Sequence, residues 1–279
     1  MRNALSFDVE EYFQVSNFES VLPREDWERY PSRLVESTET ILEILGERGI
    51  RATFFVLGWN AERHPELVRR IAEAGHEIAS HGFAHRLVYE CRPEEFRNDV
   101  ARSRALLESV GGTKVLGYRA PSFSITPKSA WALPILAEEG YLYDSSIFPV
   151  AHDRYGWRGE PPHPHVRELE GGARIHEFPL TTAPLLGARL PAAGGGYLRL
   201  FPLALVRRGL RAANRAGHPG VIYLHPWEFD PGQPRIGAGR WARIRHYTNL
   251  GKTRERLLAL LKEFSFGTVR EALGLDREP

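Results

Sequence analysis

Cysteine is almost absent from this sequence. Cys91 is the one thiol in 279 residues, which excludes an internal disulfide framework. No apolar run reaches the length of a membrane-crossing helix. An excess of one charge is missing too: 37 Lys and Arg face 35 Asp and Glu, for a net charge of +2. The pI of 8.7 comes from arginines distributed along the chain, which argues against a nucleic-acid surface. The opening Met-Arg-Asn-Ala-Leu-Ser-Phe-Asp has one Arg, a very short apolar run and then acids, unlike a secretory signal. That opening and the lone Cys91 favour the cytoplasm, and Cys91 itself reads as structural. There is no repeat at a fixed period and no convincing linker. With 42% hydrophobic residues, a single domain with one large core is expected.

Short apolar runs alternate with helical patterns. Residues 4–9, 52–57, 77–80, 115–118, 141–143, 174–178 and 221–224 read as strands. Residues 31–48, 64–74, 93–110, 126–140, 203–216 and 252–264 read as helices, closed by glycines such as Gly49, Gly75 and Gly112. Pro134 interrupts one of them without a reason visible in the sequence. Such alternation predicts parallel βαβ units, and about seven strands predict a distorted (β/α) barrel of the α/β class. Residues 151–172, rich in Pro, Gly and His, and 191–196, with Gly194-Gly195-Gly196, break the pattern. Both are expected as surface loops over the site or at a subunit contact.

Ionisable residues follow the strands. Asp8 and Glu10 end the first, and strand alternation puts both on one face. Two adjacent carboxylates repel unless a cation sits between them or one is a base and the other a ligand; alone, they would read as an acidic strand end in solvent. His81 and His85 follow residues 77–80, and an i, i+4 pair on a helical turn suits a divalent ion. Arg119 follows the fourth strand, where its fork can hold a carboxylate ionised. His225 follows the last, where it could be a general acid, and Trp227 could wall an acyl group or a sugar face. Together these form a metal-hydrolase kit on one face of a parallel sheet.

Several motifs carry a resemblance: Phe7-Asp8-Val9-Glu10-Glu11-Tyr12-Phe13, Ser80-His81-Gly82-Phe83-Ala84-His85, Arg119-Ala120-Pro121-Ser122-Phe123-Ser124, Tyr143-Asp144-Ser145-Ser146, His225-Pro226-Trp227-Glu228 and the tail Arg245-His246-Tyr247-Thr248-Asn249-Leu250. With these, in order over nearly the whole chain, the sequence resembles the polysaccharide deacetylases of the NodB-homology type. More narrowly, it resembles the signal-peptide-less branch found with exopolysaccharide-synthesis loci. The resemblance implies a distorted barrel over residues 1–279, with 226–279 a family-specific extension. It implies a divalent metal, usually Zn²⁺, with Co²⁺, Mn²⁺ or Fe²⁺ as alternatives. The implied reaction is N-deacetylation of N-acetylhexosamine units in a polysaccharide or its lipid-linked precursor.

By the same carry-over, Asp8 is the catalytic base, Arg119 its tether and His225 the acid, with His81 and His85 metal ligands. The commoner family pattern has two adjacent Asp residues, the second a ligand. Val9 stands there in this chain, so the metal carboxylate falls to Glu10. Phe123, Asp144, Glu177 and Trp227 are candidate pocket residues, and a backbone N–H near Phe123 is expected to help hold the oxyanion. A carbohydrate is the expected partner, with no nucleic acid and no transmembrane segment; homo-oligomers stay open. An inner-membrane-face setting would reconcile a cytoplasmic protein with such a substrate. Two rivals remain: a hydrolase of small cyclic amides or ureides, and a non-catalytic polysaccharide-binding protein.

Overall fold

The computed structural model describes residues 1–152 and 155–277. The seven expected strands are all present: β1 (Arg2–Val9), β2 (Thr53–Val56), β3 (Glu77–Ser80), β4 (Gly117–Tyr118), β5 (Tyr143–Asp144), β7 (Arg174–Glu177) and β10 (Val221–Leu224). They form one curled parallel sheet in the order β10-β1-β2-β3-β4-β5-β7. Four further strands were not anticipated. β6 (His165–Glu168) is antiparallel to β7 and ends the sheet. β8 (Thr182–Leu185) and β9 (Ala188–Pro191) make a separate hairpin. β11 (Ser265–Gly267) runs parallel beside the start of β1. The curl does not close: β10 and β6 stand at its two ends, and residues 178–194 cross between them, giving an open (β/α) half-barrel.

β1 pairs with β10, β2 and β11, and all but its first residue are buried, as expected of a parallel strand covered on both faces. The helices α1 (Leu34–Gly46), α2 (Gly58–Arg63), α3 (Pro65–Glu73), α4 (Pro93–Gly111), α5 (Ala132–Glu138), α6 (Gly195–Leu200), α7 (Leu203–Arg215), α8 (Arg240–Tyr247), α9 (Thr253–Glu263) and α10 (Val269–Leu273) complete the chain. Pro65 and Pro93 open α3 and α4 at their first turns, where a missing N–H costs nothing. Pro134 has the same explanation: a short 3₁₀ turn precedes α5, so this proline falls in the first turn of a new helix.

The two stretches expected as loops hold regular elements among their described residues; residues 153 and 154 of the first lie outside these. The first contains β6. In the second, Gly194 and Gly195 are buried because two side chains press on bare backbone. A Cβ on Gly194 would lie 2.2 Å from the Tyr223 hydroxyl, and one on Gly195 2.0 Å from Glu228 Oε2.

Candidate active site

Asp8, Glu10, His81, Arg119 and His225 all stand at or just beyond the C-terminal ends of parallel strands, where this architecture gathers its functional loops. Asp8 is the penultimate residue of β1, and just past its end the Glu10 N–H turns back to the Asp8 carbonyl at 2.9 Å. His81 and His85 follow β3 in a loop, not on the helical turn expected from their spacing. Gly82 at φ +73° and His85 at φ +51° turn the chain back on itself. Phe83, packed where α2 has only Gly58, pins that turn. The ring centroids of the two histidines come within 5.5 Å.

Both imidazoles converge on Glu10. Its Oε1 lies 2.8 Å from His81 Nε2 and 3.1 Å from His85 Nε2, and all three residues are buried. Burial alone would raise the Glu10 carboxyl, but the His85 charge and the two histidine contacts hold it well below the usual carboxylate range. His81 Nδ1–H donates to the Arg119 carbonyl at 2.7 Å, which leaves Nε2 facing Glu10. Glu10, His81 and His85 offer one ligand atom each, all within 4.8 Å of one another, and no other such cluster occurs among the described residues. Two imidazoles and a carboxylate are a fitting donor set for a first-row divalent ion with an open position.

Arg119 sits beside this cluster, completely buried over the Phe55 ring at 4.1 Å. It donates from Nη1 to Asp8 Oδ1 at 2.7 Å and to Ser6 Oγ at 2.8 Å. Its Nε and Nη2 donate to the Ser145 carbonyl (3.0 Å) and hydroxyl (2.9 Å). The turn after it places Ser122 and Phe123 both at φ above +50°, a costly backbone for non-glycine residues of the kind that collects at functional sites. Phe123 lines the cleft. Its own N–H is already given to the Ala120 carbonyl at 3.0 Å, so that group is not the free oxyanion donor expected near this position.

Opposite stands His225. Its Nδ1 lies 2.6 Å from Glu228 Oε1; Glu228 Oε2 in turn accepts from Arg199 Nε at 2.9 Å. Arg199 is held by the carbonyls of Thr248 (2.7 Å), His246 (3.1 Å) and Arg245 (3.2 Å). Burial works against a charge on His225, but the Glu228 hydrogen bond and the charges of Glu10, Glu228 and Asp8 push its pKa up to about 9. Trp227 stacks between His225 and His246, at centroid distances of 5.1 and 4.1 Å.

Asp8, Glu10, His85, Phe123, His225 and Trp227 border one open cleft of about 480 Å³, with Tyr155, Tyr197 and Tyr223 adding aromatic walls. Asp144 and Glu177 do not border it. They are fully buried, in register on β5 and β7. Asp144 accepts from the Ser146 hydroxyl (2.5 Å) and N–H (3.0 Å). That hydroxyl also accepts from the Ala120 N–H at 2.7 Å, so the pair supports the Arg119 turn from below. Burial pushes both carboxyls up, and the Asp144 charge drives Glu177 furthest.

Glu228 and Arg199 were missed by residue-level reading. Glu228 was visible as the last member of His-Pro-Trp-Glu, three residues from His225. Arg199 had no local signal, because its partners are 29 to 49 residues away. The tail 245–250 has its structural role here: it supplies the carbonyl cradle for Arg199, and Asn249 Nδ2 donates to the Arg199 carbonyl at 3.0 Å.

Residues 27–140 match the polysaccharide deacetylase family, and residues 145–274 match a domain of unknown function, DUF3473. A peptidoglycan-N-acetylglucosamine deacetylase of Bacillus cereus is 37% identical over 126 residues, which are 45% of this chain and 43% of that protein. A chitooligosaccharide deacetylase of Rhizobium leguminosarum is 38% identical over 72 residues, 26% of this chain and 34% of the other. The chain thus spans less than half the length of these curated relatives. A crystal structure from Mycobacterium smegmatis, of a protein assigned to the polysaccharide deacetylases, superposes with a TM-score of 0.62 at 26% identity, over 95% of this chain and 92% of that one. This chain carries a polysaccharide deacetylase domain.

Proposed function

We propose that this protein is a metal-dependent hydrolase that removes the acetyl group from N-acetylhexosamine units of a polysaccharide or its lipid-linked precursor. One observation supports it above the others. A Glu10–His81–His85 donor triangle, an Arg119-held Asp8 and a Glu228-held His225 border the same sugar-sized, aromatic-walled cleft. Both named relatives act on such N-acetylated sugars. Residues 226–279 are in this reading a family-specific extension, whose tail cradles Arg199. A cytoplasmic setting at the inner membrane face goes with a lipid-linked substrate.

Glu10, His81 and His85 would hold the ion, with Zn²⁺ favoured and Co²⁺, Mn²⁺ or Fe²⁺ also compatible. Such an ion supplies Lewis-acid polarisation of the amide carbonyl and a lowered water pKa. Asp8, tethered through Oδ1, takes the water proton on Oδ2 as the C–O bond forms. Glu228 favours the charged imidazolium of His225 and fixes the ring through Nδ1, so that Nε2–H faces the amide nitrogen. An amine leaves poorly unless protonated; that transfer accompanies cleavage of the C–N bond, and the products are acetate and a free amino sugar. Trp227 and Tyr223 flank the His225 ring and keep it from turning.

The deciding assay measures acetate from N-acetylglucosamine oligomers, with stripped protein reloaded with Zn²⁺, Co²⁺ or nothing. Release that requires the metal is expected. Stoichiometric metal without release, together with turnover of a cyclic ureide, would overturn this reading in favour of another amide substrate. Oligomer binding without any release would leave a binding protein.

A further inference from the structure

Four large apolar side chains lie open to solvent at the end of α6 and on α8, two helices in contact. Leu200 and Phe201 close α6; Trp241, 75% exposed, and Ile244 lie on α8. Single exposed hydrophobics are ordinary, but a cluster marks an interaction surface. α6 and α8 are tied together by Arg199, whose guanidinium reaches the Arg245 and His246 carbonyls. Leu200 and Phe201 also border the mouth of the cleft.

α8 is amphipathic. His246 and Tyr247 turn inward against Phe18. Trp241 and Ile244, three residues apart, share the outer side. Around them the charge is one-sided. Residues 231–254 contain Arg235, Arg240, Arg243, Arg245, Lys252 and Arg254 and no Asp or Glu, against +2 for the entire chain. Asp230 and Glu255 bound this stretch, and between them the six cations meet no acid in sequence. None of these six cations forms an ion pair among the described residues.

We propose that this face docks on an anionic phospholipid surface, with Trp241 and Ile244 inserted at the headgroup boundary and the arginines on lipid phosphates. A basic helix with Trp and an aliphatic residue on its free side is the chemistry of interfacial membrane binding. A second copy of this chain is disfavoured, because the same cations would face each other. A glycan platform stacks ring faces and gains little from Ile244 and Leu200. The docking face stands without the deacetylase reading; with it, the cleft mouth opens where a lipid-linked sugar would emerge.

Flotation of the full chain tests this, with phosphatidylcholine vesicles and with vesicles one-third phosphatidylglycerol. Binding to the anionic vesicles alone is expected. R240A/R243A should weaken it about 25-fold, at about fivefold per arginine, and W241A/I244A at least ~10-fold. Both variants should keep the parent's thermal midpoint and its acetate release from soluble oligomers. Equal binding to the two vesicle types overturns the proposal, as does parent-like binding by W241A/I244A. Loss of chitin binding in W241A/I244A, with no flotation of the parent, would assign the face to glycan instead. A dimer dissolved by the same variants, again without flotation, would assign it to self-association. Flotation without acetate release would sink the deacetylase reading and leave this one intact.

Discussion

At the scale of single residues, the site divides its proton work between two held groups. Asp8→Asn keeps the shape and the Arg119 contact but removes a base. Turnover should fall at least ~100-fold while bound metal, measured by elemental analysis, stays stoichiometric; loss of the metal would refute the base role. His225→Ala should also cost at least ~100-fold in kcat, and near-normal turnover would refute the acid role. The elevated His225 pKa, about 9, sets the sign of the pH response. The acid is charged through neutral pH and is lost as the pH rises towards that value, so kcat should fall on the alkaline side. A bound dication would pull that limb to lower pH. Glu228→Gln removes an anion that favours the imidazolium, so its alkaline limb should lie at lower pH than the parent's. A kcat–pH profile of both proteins checks this, and coincident limbs would exclude Glu228 as the group that tunes His225.

At the scale of elements, the β-strands place the chemistry and the helices brace it. β1 carries the base Asp8, and the tight turn at its end, closed by the Glu10 N–H on the Asp8 carbonyl, brings in the metal carboxylate. α6 enters behind His225, and the bare Cα of Gly195 leaves room for the Glu228 carboxylate. Gly195→Ala puts a methyl group 2.0 Å from Glu228 Oε2, so the carboxylate must move off His225. We expect kcat to drop as in Glu228→Gln, with a stability loss of about 1–3 kcal/mol. At Gly196 an added Cβ meets nothing within 4 Å, so Gly196→Ala should keep the parent's midpoint in urea. Equal behaviour of the two variants would remove the packing explanation.

At the scale of the whole molecule, the site is shared between segments distant in sequence. The family match over residues 27–140 contains His81, His85 and Arg119. Asp8 and Glu10 precede it, and His225, Glu228 and Arg199 fall in the match over 145–274. The buried Asp144–Glu177 pair gives the fold a pH signature. Glu177 holds its proton well above the ordinary carboxyl value when folded and loses it near ~4.3 when unfolded. Above that pH the folded state binds more protons than the unfolded one, so this pair's contribution declines with rising pH until Glu177 itself ionises. Glu177→Gln carries no such proton. Its thermal midpoint should gain on the parent's as pH rises from 5 to 8; parallel midpoints would mean the pair holds no proton. Saturating Zn²⁺ should add about 2.7 kcal/mol at a hundredfold excess over Kd, read as a higher midpoint that Glu10→Ala abolishes.

Sequence alone determined the seven parallel strands and the residues at their ends, because the apolar runs that fill a two-sided parallel core are contiguous and local. Strand alternation puts Asp8 and Glu10 on one face, but the strand ends at Val9 and a turn closed by the Glu10 N–H on the Asp8 carbonyl places Glu10. Elements stabilised by distant partners were not legible. β11 exists because β1 has a free edge for it, and the Gly194-Gly195 stretch is buried because Tyr223 and Glu228 arrive from another segment. The His81/His85 pair was visible as a spacing, but its conformation was not: Gly82 and the Phe83 anchor make a loop where i, i+4 reads as a helical turn. Asp144 and Glu177 looked like pocket residues, since a strand end carries no mark of whether it opens to the cleft or lies beneath it. Only the tertiary structure decided that, and with it the Arg199–Glu228–His225 chain. Such contacts are closed by the curl of the sheet across dozens of residues, and periodicity and spacing carry no trace of them.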